Sequence, residues 1–461
     1  MLLEFHPPFY SIILASFHGL FRDWFTTGLL VSCLSSAIVL ITSFVFFYHV
    51  GGRYAAWGSL VGLMSSRLFL TCSSYATQDM FFLALYSSCF LVAFLAMQRE
   101  SRILWGVTGV VSACALLTRA NGLSLMILLV FPWFQSRNVR DRLKDFACIL
   151  AACILVLAAW WIVAKVTGSP FGTQYGHVNL AMRYFPSEGD PFTIEARQHL
   201  ISRFSSYKDV LLHDPKHIAV TYVKDCFKYL QQNFLSTELL TFPILLFSLP
   251  GIFILFLKPR NIFPVLFLVA TIFQIGLLGF KEYESRFYLF LIPVLAAGAG
   301  VCIQYIYAQI PRGWKQIAAL ILFLPILISG VKETRYALAG TYEDLHAQDE
   351  ELGEAIPTAR KLVDPTGVFV CRKEHIPFYL GIQHAKFPDV GNLEEFHVWV
   401  NGLAGNGPVY IYFGSDEKRN RTRVSELGSA EKAPDWLKTL AKSRVRNKWI
   451  LYRYDPLPGK K

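Results

Sequence analysis

The chain has 461 residues, 54% of them apolar and only 17% charged, with a mean hydropathy of +0.39. Soluble domains carry about 45–50% apolar and about 25% charged residues. This composition therefore excludes a disordered, collagen-like or disulfide-scaffold chain, and apolar runs of about 20 residues exclude an ordinary soluble enzyme. The net charge is +11: residues 1–330 hold 24 Lys and Arg against 15 Asp and Glu, and residues 331–461 hold 20 against 18. The basic excess lies among the apolar runs and not on a soluble surface, which excludes a nucleic-acid binder.

In chain order, residues 9–21 form an apolar stretch too short to span, with Ser11, Ala15, His18 and Arg22 along a less apolar stripe. Pro8 suits a first helical turn, and the stretch reads as an interfacial helix. Spans are predicted at about 25–48, 55–72, 79–98, 103–118, 121–135, 146–166, 238–257, 262–280, 287–309 and 314–331. Each approaches the roughly 17–25 residues that cross about 30 Å of hydrocarbon as a helix; 121–135 is the shortest. The runs lack two-residue alternation, so the fold class is mainly α, a polytopic membrane helical bundle of about ten spans plus an interfacial helix. Of nine cysteines, only Cys226 and Cys371 lie in hydrophilic segments, which leaves one possible disulfide and no zinc-type spacing.

The ten spans sort the connections into two alternating sets. One holds Arg53, Arg99, Arg102, Arg137, Arg140, Arg142, Lys144, Lys258, Arg260, Arg312 and Lys315; the other holds Arg22, Arg67, Arg119, Lys165, Lys281 and Arg286. The positive-inside rule makes the first set cytoplasmic. Segment 167–237 and the tail 332–461 then lie outside, and so does Met1, with no signal peptide ahead of it. That orientation predicts a further helix preceding Met1.

The external parts divide into segment 167–237, attached to a transmembrane domain 1–331, and a soluble α/β domain 332–461. Residues 214–234 carry Ile218, Tyr222, Cys226 and Tyr229 at helical spacing, an amphipathic helix against the membrane surface or the bundle top. His213 and His217 stand four apart with no third ligand at a telling spacing, and no metal is predicted. In the tail, helical patterns occur at 343–363, 393–403 and 434–444, and strands at 367–371, 409–413 and 449–454.

Ionisable residues within spans are costly unless paired or hydrated. Asp79 opens the third span, Arg67 lies near the outer end of the second, Arg119 sits in the turn 117–122, and Lys281, Glu284 and Arg286 cluster before the ninth. No helix centre carries a charge, which argues against an ion relay. All these groups fall at one depth, the outer boundary. Arginines there can grip a lipid-linked phosphate through a fork of N–H donors, a carboxylate beside them can orient or deprotonate an acceptor hydroxyl, and positive charge assists a phosphate leaving group. The bland alternatives are a snorkelling Arg, an Asp79 that only caps its helix, and a structural Glu284–Arg286 pair.

Four patterns carry a resemblance: His6-Pro7-Pro8-Phe9-Tyr10, Ala76-Thr77-Gln78-Asp79 with the apolar run after it, Ala115-Leu116-Leu117-Thr118-Arg119, and Glu284-Ser285-Arg286-Phe287-Tyr288 followed by Pro293. Their order and shared location resemble the GT-C glycosyltransferases, in the group of dolichyl-phosphate-mannose protein mannosyltransferases and lipid A aminoarabinose transferases, over about residues 1–310. The resemblance implies transfer of a sugar with inversion from a polyprenyl-phosphate donor to a lipid, glycan or protein acceptor. It implies no nucleotide-sugar site, in line with the missing D-x-D; no cofactor is expected, with a divalent cation as the alternative. It also implies that Arg119 and Arg286 hold donor phosphate, with Arg67 and Lys281 as further contacts, that Asp79 serves the acceptor or the base, and that His6, Glu284 and Tyr288 border the substrate. The family carries its catalytic Asp in an external loop ahead of the Pro-Pro pattern. Here Glu4 is the only acid before Pro7, so an acidic loop and the predicted extra helix are expected together. The expected setting is a bacterial inner membrane and cell-envelope or protein glycosylation. The alternatives are a transporter or flippase of lipid-linked sugars, which would need mid-depth polar groups and repeated halves, and a non-catalytic scaffold of the same fold.

Overall fold

The computed structural model describes residues 8–167, 176–185, 194–235, 239–257, 262–280, 284–348, 353–372, 375–388, 390–404, 407–444 and 448–455. The chain divides into two compact units, Met1–Phe185 with Phe204–Thr341, and Pro186–Arg203 with Tyr342–Lys461.

The first unit is helical. It opens with α1 (Phe9–Phe21), α2 (Trp24–Gly51), α3 (Arg53–Ser65), α4 (Arg67–Ser73), α5 (Gln78–Arg99) and α6 (Arg102–Leu116). Asp23, Ser66 and Ser101 each accept a bond from the backbone N–H three residues on and so start α2, α4 and α6. Ser66 takes an extended conformation and breaks the predicted span 55–72 into α3 and α4. After a 3-10 helix (Ala120–Phe134) come α7 (Val139–Thr167) and α8 (Gly176–Tyr184). The next helix, α9 (Ile194–Arg203), belongs to the second unit. The first unit resumes with α10 (Tyr207–His213), α11 (Pro215–Leu235), α12 (Phe242–Leu257), α13 (Phe263–Leu278), a 3-10 turn (Ser285–Tyr288), α14 (Leu291–Gln309) and α15 (Lys315–Gln348), the last running across the unit boundary.

Nine of the ten predicted spans fall on long or shorter apolar helices, the exception being 55–72, which is divided between α3 and α4, and the fold is a polytopic helical membrane bundle. Among the described residues five helices are long and apolar enough to cross a membrane, and five more, α1 included, are shorter apolar helices. The shortest span is explained by its geometry. Fifteen residues of α-helix reach only about 22 Å, but fifteen residues of 3-10 helix at about 2.0 Å each reach about 30 Å, the thickness of the hydrocarbon. Among its buried residues, Gly122, Leu125, Leu128 and Phe131 form one row at every third position, with Asn121, Ser124 and Pro132 buried beside it.

Helix α14 is the packed centre of this unit. A Cβ at Gly251 of α12 would overlap the Gly298 carbonyl oxygen, and one at Gly300 would overlap the Tyr54 carbonyl of α3. Such backbone contact suits helices that gain no hydrophobic driving force from lipid and rely on close packing. Gly251→Val should therefore force α12 and α14 apart and destabilise the protein by about 1–3 kcal/mol or more. A thermal melt of the detergent-solubilised variant checks this.

The second unit carries a five-stranded sheet of order β2-β1-β3-β5-β4, formed by β1 (Val368–Cys371), β2 (Gln383–Lys386), β3 (Val409–Phe413), β4 (Lys438–Lys442) and β5 (Ile450–Tyr454). Strand β1 pairs in parallel with β2 and β3, and β5 runs antiparallel to β3 and β4. All five residues of β3 are buried because both faces of the sheet are covered. Ala355 and Ala359 of α16 (Glu354–Leu362) and Ile376 of α17 (His375–Leu380) pack on one side. Phe396 and Val400 of α18 (Leu393–Leu403) pack on the other. A short α19 (Ser415–Asn420) follows β3. The expected helix at 434–444 is instead the edge strand β4. Its Lys-Thr-Leu-Ala-Lys run fits either period, and pairing to β5 decides; lysines at both ends are a usual protection for an edge.

Candidate active site

Three segments of the helical unit bring the singled-out charges together. Asp79 lies in the first turn of α5, where the helix dipole favours a carboxylate. It makes no capping bond to its own helix. Its carboxylate pairs instead with Arg119, in the extended turn between α6 and the 3-10 helix, and its second oxygen lies 3.7 Å from a terminal nitrogen of Arg286. Arg286 sits in the 3-10 turn and also pairs with Glu284. Asp79 is 2% exposed and the Arg119 side chain 9%, whereas Arg286 is 46% and Glu284 42% exposed.

The cluster is thus graded. A buried pair anchors one guanidinium, and a rim pair presents the second to whatever approaches. An exposed ion pair contributes little, about 0–1 kcal/mol, so Arg286 can exchange Glu284 for an incoming anion at small cost. Arg119 cannot leave without stranding a buried carboxylate.

One partner was missed from the sequence. Phe287 carries both guanidiniums against its ring, Arg119 at 4.7 Å and Arg286 at 5.7 Å from the centroid. Its position between Arg286 and Tyr288 was the available signal. The start of α1 is also tied to this place. The Phe9 N–H donates to the Leu117 carbonyl at 2.9 Å, and Phe9 and Tyr10 lean on Phe81 of α5.

The other expected site residues fall differently. Arg67 begins α4, which packs beside the 3-10 turn. It is exposed, with no ion pair among the described residues. Tyr288 is buried, with its ring near Phe290. His6 and Lys281 lie outside the described residues. His217 bonds through Nε2 to the Tyr184 carbonyl, and His213 packs against Phe185 and Phe204. Among the described residues no group of three His, Cys, Asp or Glu could hold a metal. All nine cysteines are free, Cys226 and Cys371 included.

Residues 5–174, which contain Asp79 and Arg119, match the family model described as dolichyl-phosphate-mannose-protein mannosyltransferase. The structure of ArnT from Cupriavidus metallidurans bound to undecaprenyl phosphate is 13% identical, with a TM-score of 0.62 over 97% of this chain and 87% of that one. The same protein in the apo state gives a TM-score of 0.64 over 98% and 88%, also at 13% identity. The chain therefore shares the fold of these ArnT structures over nearly all its length. The resemblance read from four short motifs is thus met by a family match over its N-terminal part and by a shared fold over nearly all its length. No curated protein sequence matches the chain.

Proposed function

We propose that this GT-C protein is an inverting glycosyltransferase that moves a sugar from a polyprenyl-phosphate donor to a lipid, glycan or protein acceptor at the outer face of a bacterial inner membrane. The observation that carries this reading is the graded cluster of Asp79, Arg119, Arg286 and Glu284 at one end of the bundle. The matched family and the undecaprenyl phosphate bound by ArnT support the donor class.

In this reading the acceptor oxygen attacks the anomeric carbon from the face opposite the phosphate. The bond from that carbon to the phosphate oxygen breaks, and the polyprenyl phosphate leaves with the electron pair. Arg286 meets the developing charge, Arg119 reinforces it from below, and both are in place before reaction, which is where electrostatic stabilisation gains most. Asp79 is a positioning residue that holds both arginines. In this reading it also positions the acceptor hydroxyl or assists its base, and the hydroxyl's proton is passed on to that base.

The test is donor turnover by the purified chain in nanodiscs. Polyprenyl-phosphate sugars should release free polyprenyl phosphate in the presence of an acceptor extract, with the sugar found on a membrane lipid, a glycan or a protein. Movement of intact donor across vesicles without release would establish the transporter reading instead.

A further inference from the structure

Helix α11 has two faces, and only one is used within the protein. Ile218, Tyr222, Cys226 and Tyr229 face inward. The Tyr222 hydroxyl donates to the Gly276 carbonyl of α13 at 2.9 Å, and its ring lies 4.5 Å from that of Phe280. Arg183 of α8 binds Asp225 at 2.6 Å and the Tyr229 hydroxyl at 2.8 Å. These contacts seat α11 on the last turn of α13, a few residues before the segment that carries Glu284 and Arg286.

The opposite face is exposed from Lys216 to Lys228. Lys216, Val220, Lys224 and Lys228 form a row at four-residue spacing, and Val223 and Phe227 lie beside it. Val220, Val223 and Phe227 are 46%, 50% and 71% exposed. None of the three lysines has an ion pair among the described residues. A solvated face would not place Phe227 between free cations, and an apolar protein partner would leave those cations without partners. The combination fits a surface that is anionic outside and apolar just beneath. The depth agrees with the topology read from the sequence, in which 262–280 is a span and the end of α13 falls at headgroup level, and Phe280 beside Tyr222 adds an aromatic of the kind found there.

We propose that this face of α11 docks phosphate-bearing anionic phospholipid of the leaflet at the Asp79 end, with Val220, Val223 and Phe227 in the acyl boundary and Lys216, Lys224 and Lys228 on the phosphates. The test uses the full chain with a photoreactive phenylalanine analogue at 227, in nanodiscs of phosphatidylcholine with or without phosphatidylglycerol. Phosphatidylglycerol should be labelled in the wild-type background, and labelling should fall at least about fivefold in the Lys216→Glu, Lys224→Glu, Lys228→Glu variant. All three lysines are exposed, so the variant should stay monodisperse with an unchanged melting midpoint. A second measurement, anionic lipid retained by each protein in native mass spectra, should show the same loss without any probe at 227. Equal labelling of both lipids, labelling of a second protein copy, or unchanged retention in the variant would overturn the proposal. None of these readouts depends on sugar transfer.

Discussion

Arg286→Ala should reduce donor turnover by about 10²–10³-fold, the loss seen when one donor to a developing oxyanion is removed, while the protein folds and melts as before. The separation of the two effects follows from exposure. The side chain is 46% exposed and its pair with Glu284 lies at the rim, so its contribution to stability is no more than about 1 kcal/mol. Arg286→Lys should recover only part of the activity, since it keeps the charge but loses the planar fork. The comparison with Arg119 sharpens the point. Arg119→Ala strips the buried Asp79 carboxylate of its nearer partner, and breaking a buried pair costs about 3–5 kcal/mol. Its inactivity alone would therefore say little. Full turnover in a folded Arg286→Ala protein would remove the phosphate-binding assignment.

The second large effect is expected far from this cluster. Asp145 of α7 is 0% exposed and is held by Arg137 at 3.0 Å and by Arg102 at 3.8 Å. Gln135, just past the 3-10 helix, donates to it at 3.1 Å with its amide turned to accept from the Trp105 indole. Arg137 in turn reaches Glu100 at the end of α5. Four segments are thus fastened through one carboxylate. Asp145→Ala should destabilise the protein by about 3–5 kcal/mol, because it leaves Arg137 partly buried without its main partner. Arg102→Ala should cost about 1 kcal/mol or less, since Arg102 is 46% exposed. Thermal melts of both variants in one detergent check the ratio, and comparable midpoints would show that the carboxylate is not the fastener.

These two places also show how far the sequence could be read. Most spans were legible because apolar length is a local property, and the charges at the helix ends were legible because a membrane makes each one conspicuous. Asp145 was not, because it lies in a loop-to-helix run crowded with basic residues, and burial of one acid among them is a tertiary outcome. The pairing of Asp79 with Arg119 was equally invisible, since 40 positions separate them. The edge strand β4 was misread for a related reason: Lys-Thr-Leu-Ala-Lys has no period of its own, and only its neighbour β5 makes it a strand. The 3-10 helix was partly visible, since Gly122, Leu125, Leu128 and Phe131 repeat every three residues, a period that a test for 3.6 or 2 passes over.

That segment has a mechanical consequence. It joins Arg119 at one end to Gln135 and the Asp145 fastening at the other. At three residues per turn and about 2 Å per residue, adding or removing one residue would rotate one end by a third of a turn and shift it by that rise. Relaxing to an α-helix would shorten the whole by about 7 Å. The segment is therefore a gauge block, setting the separation between Arg119 of the charged cluster and the Asp145 fastening with no slack to share.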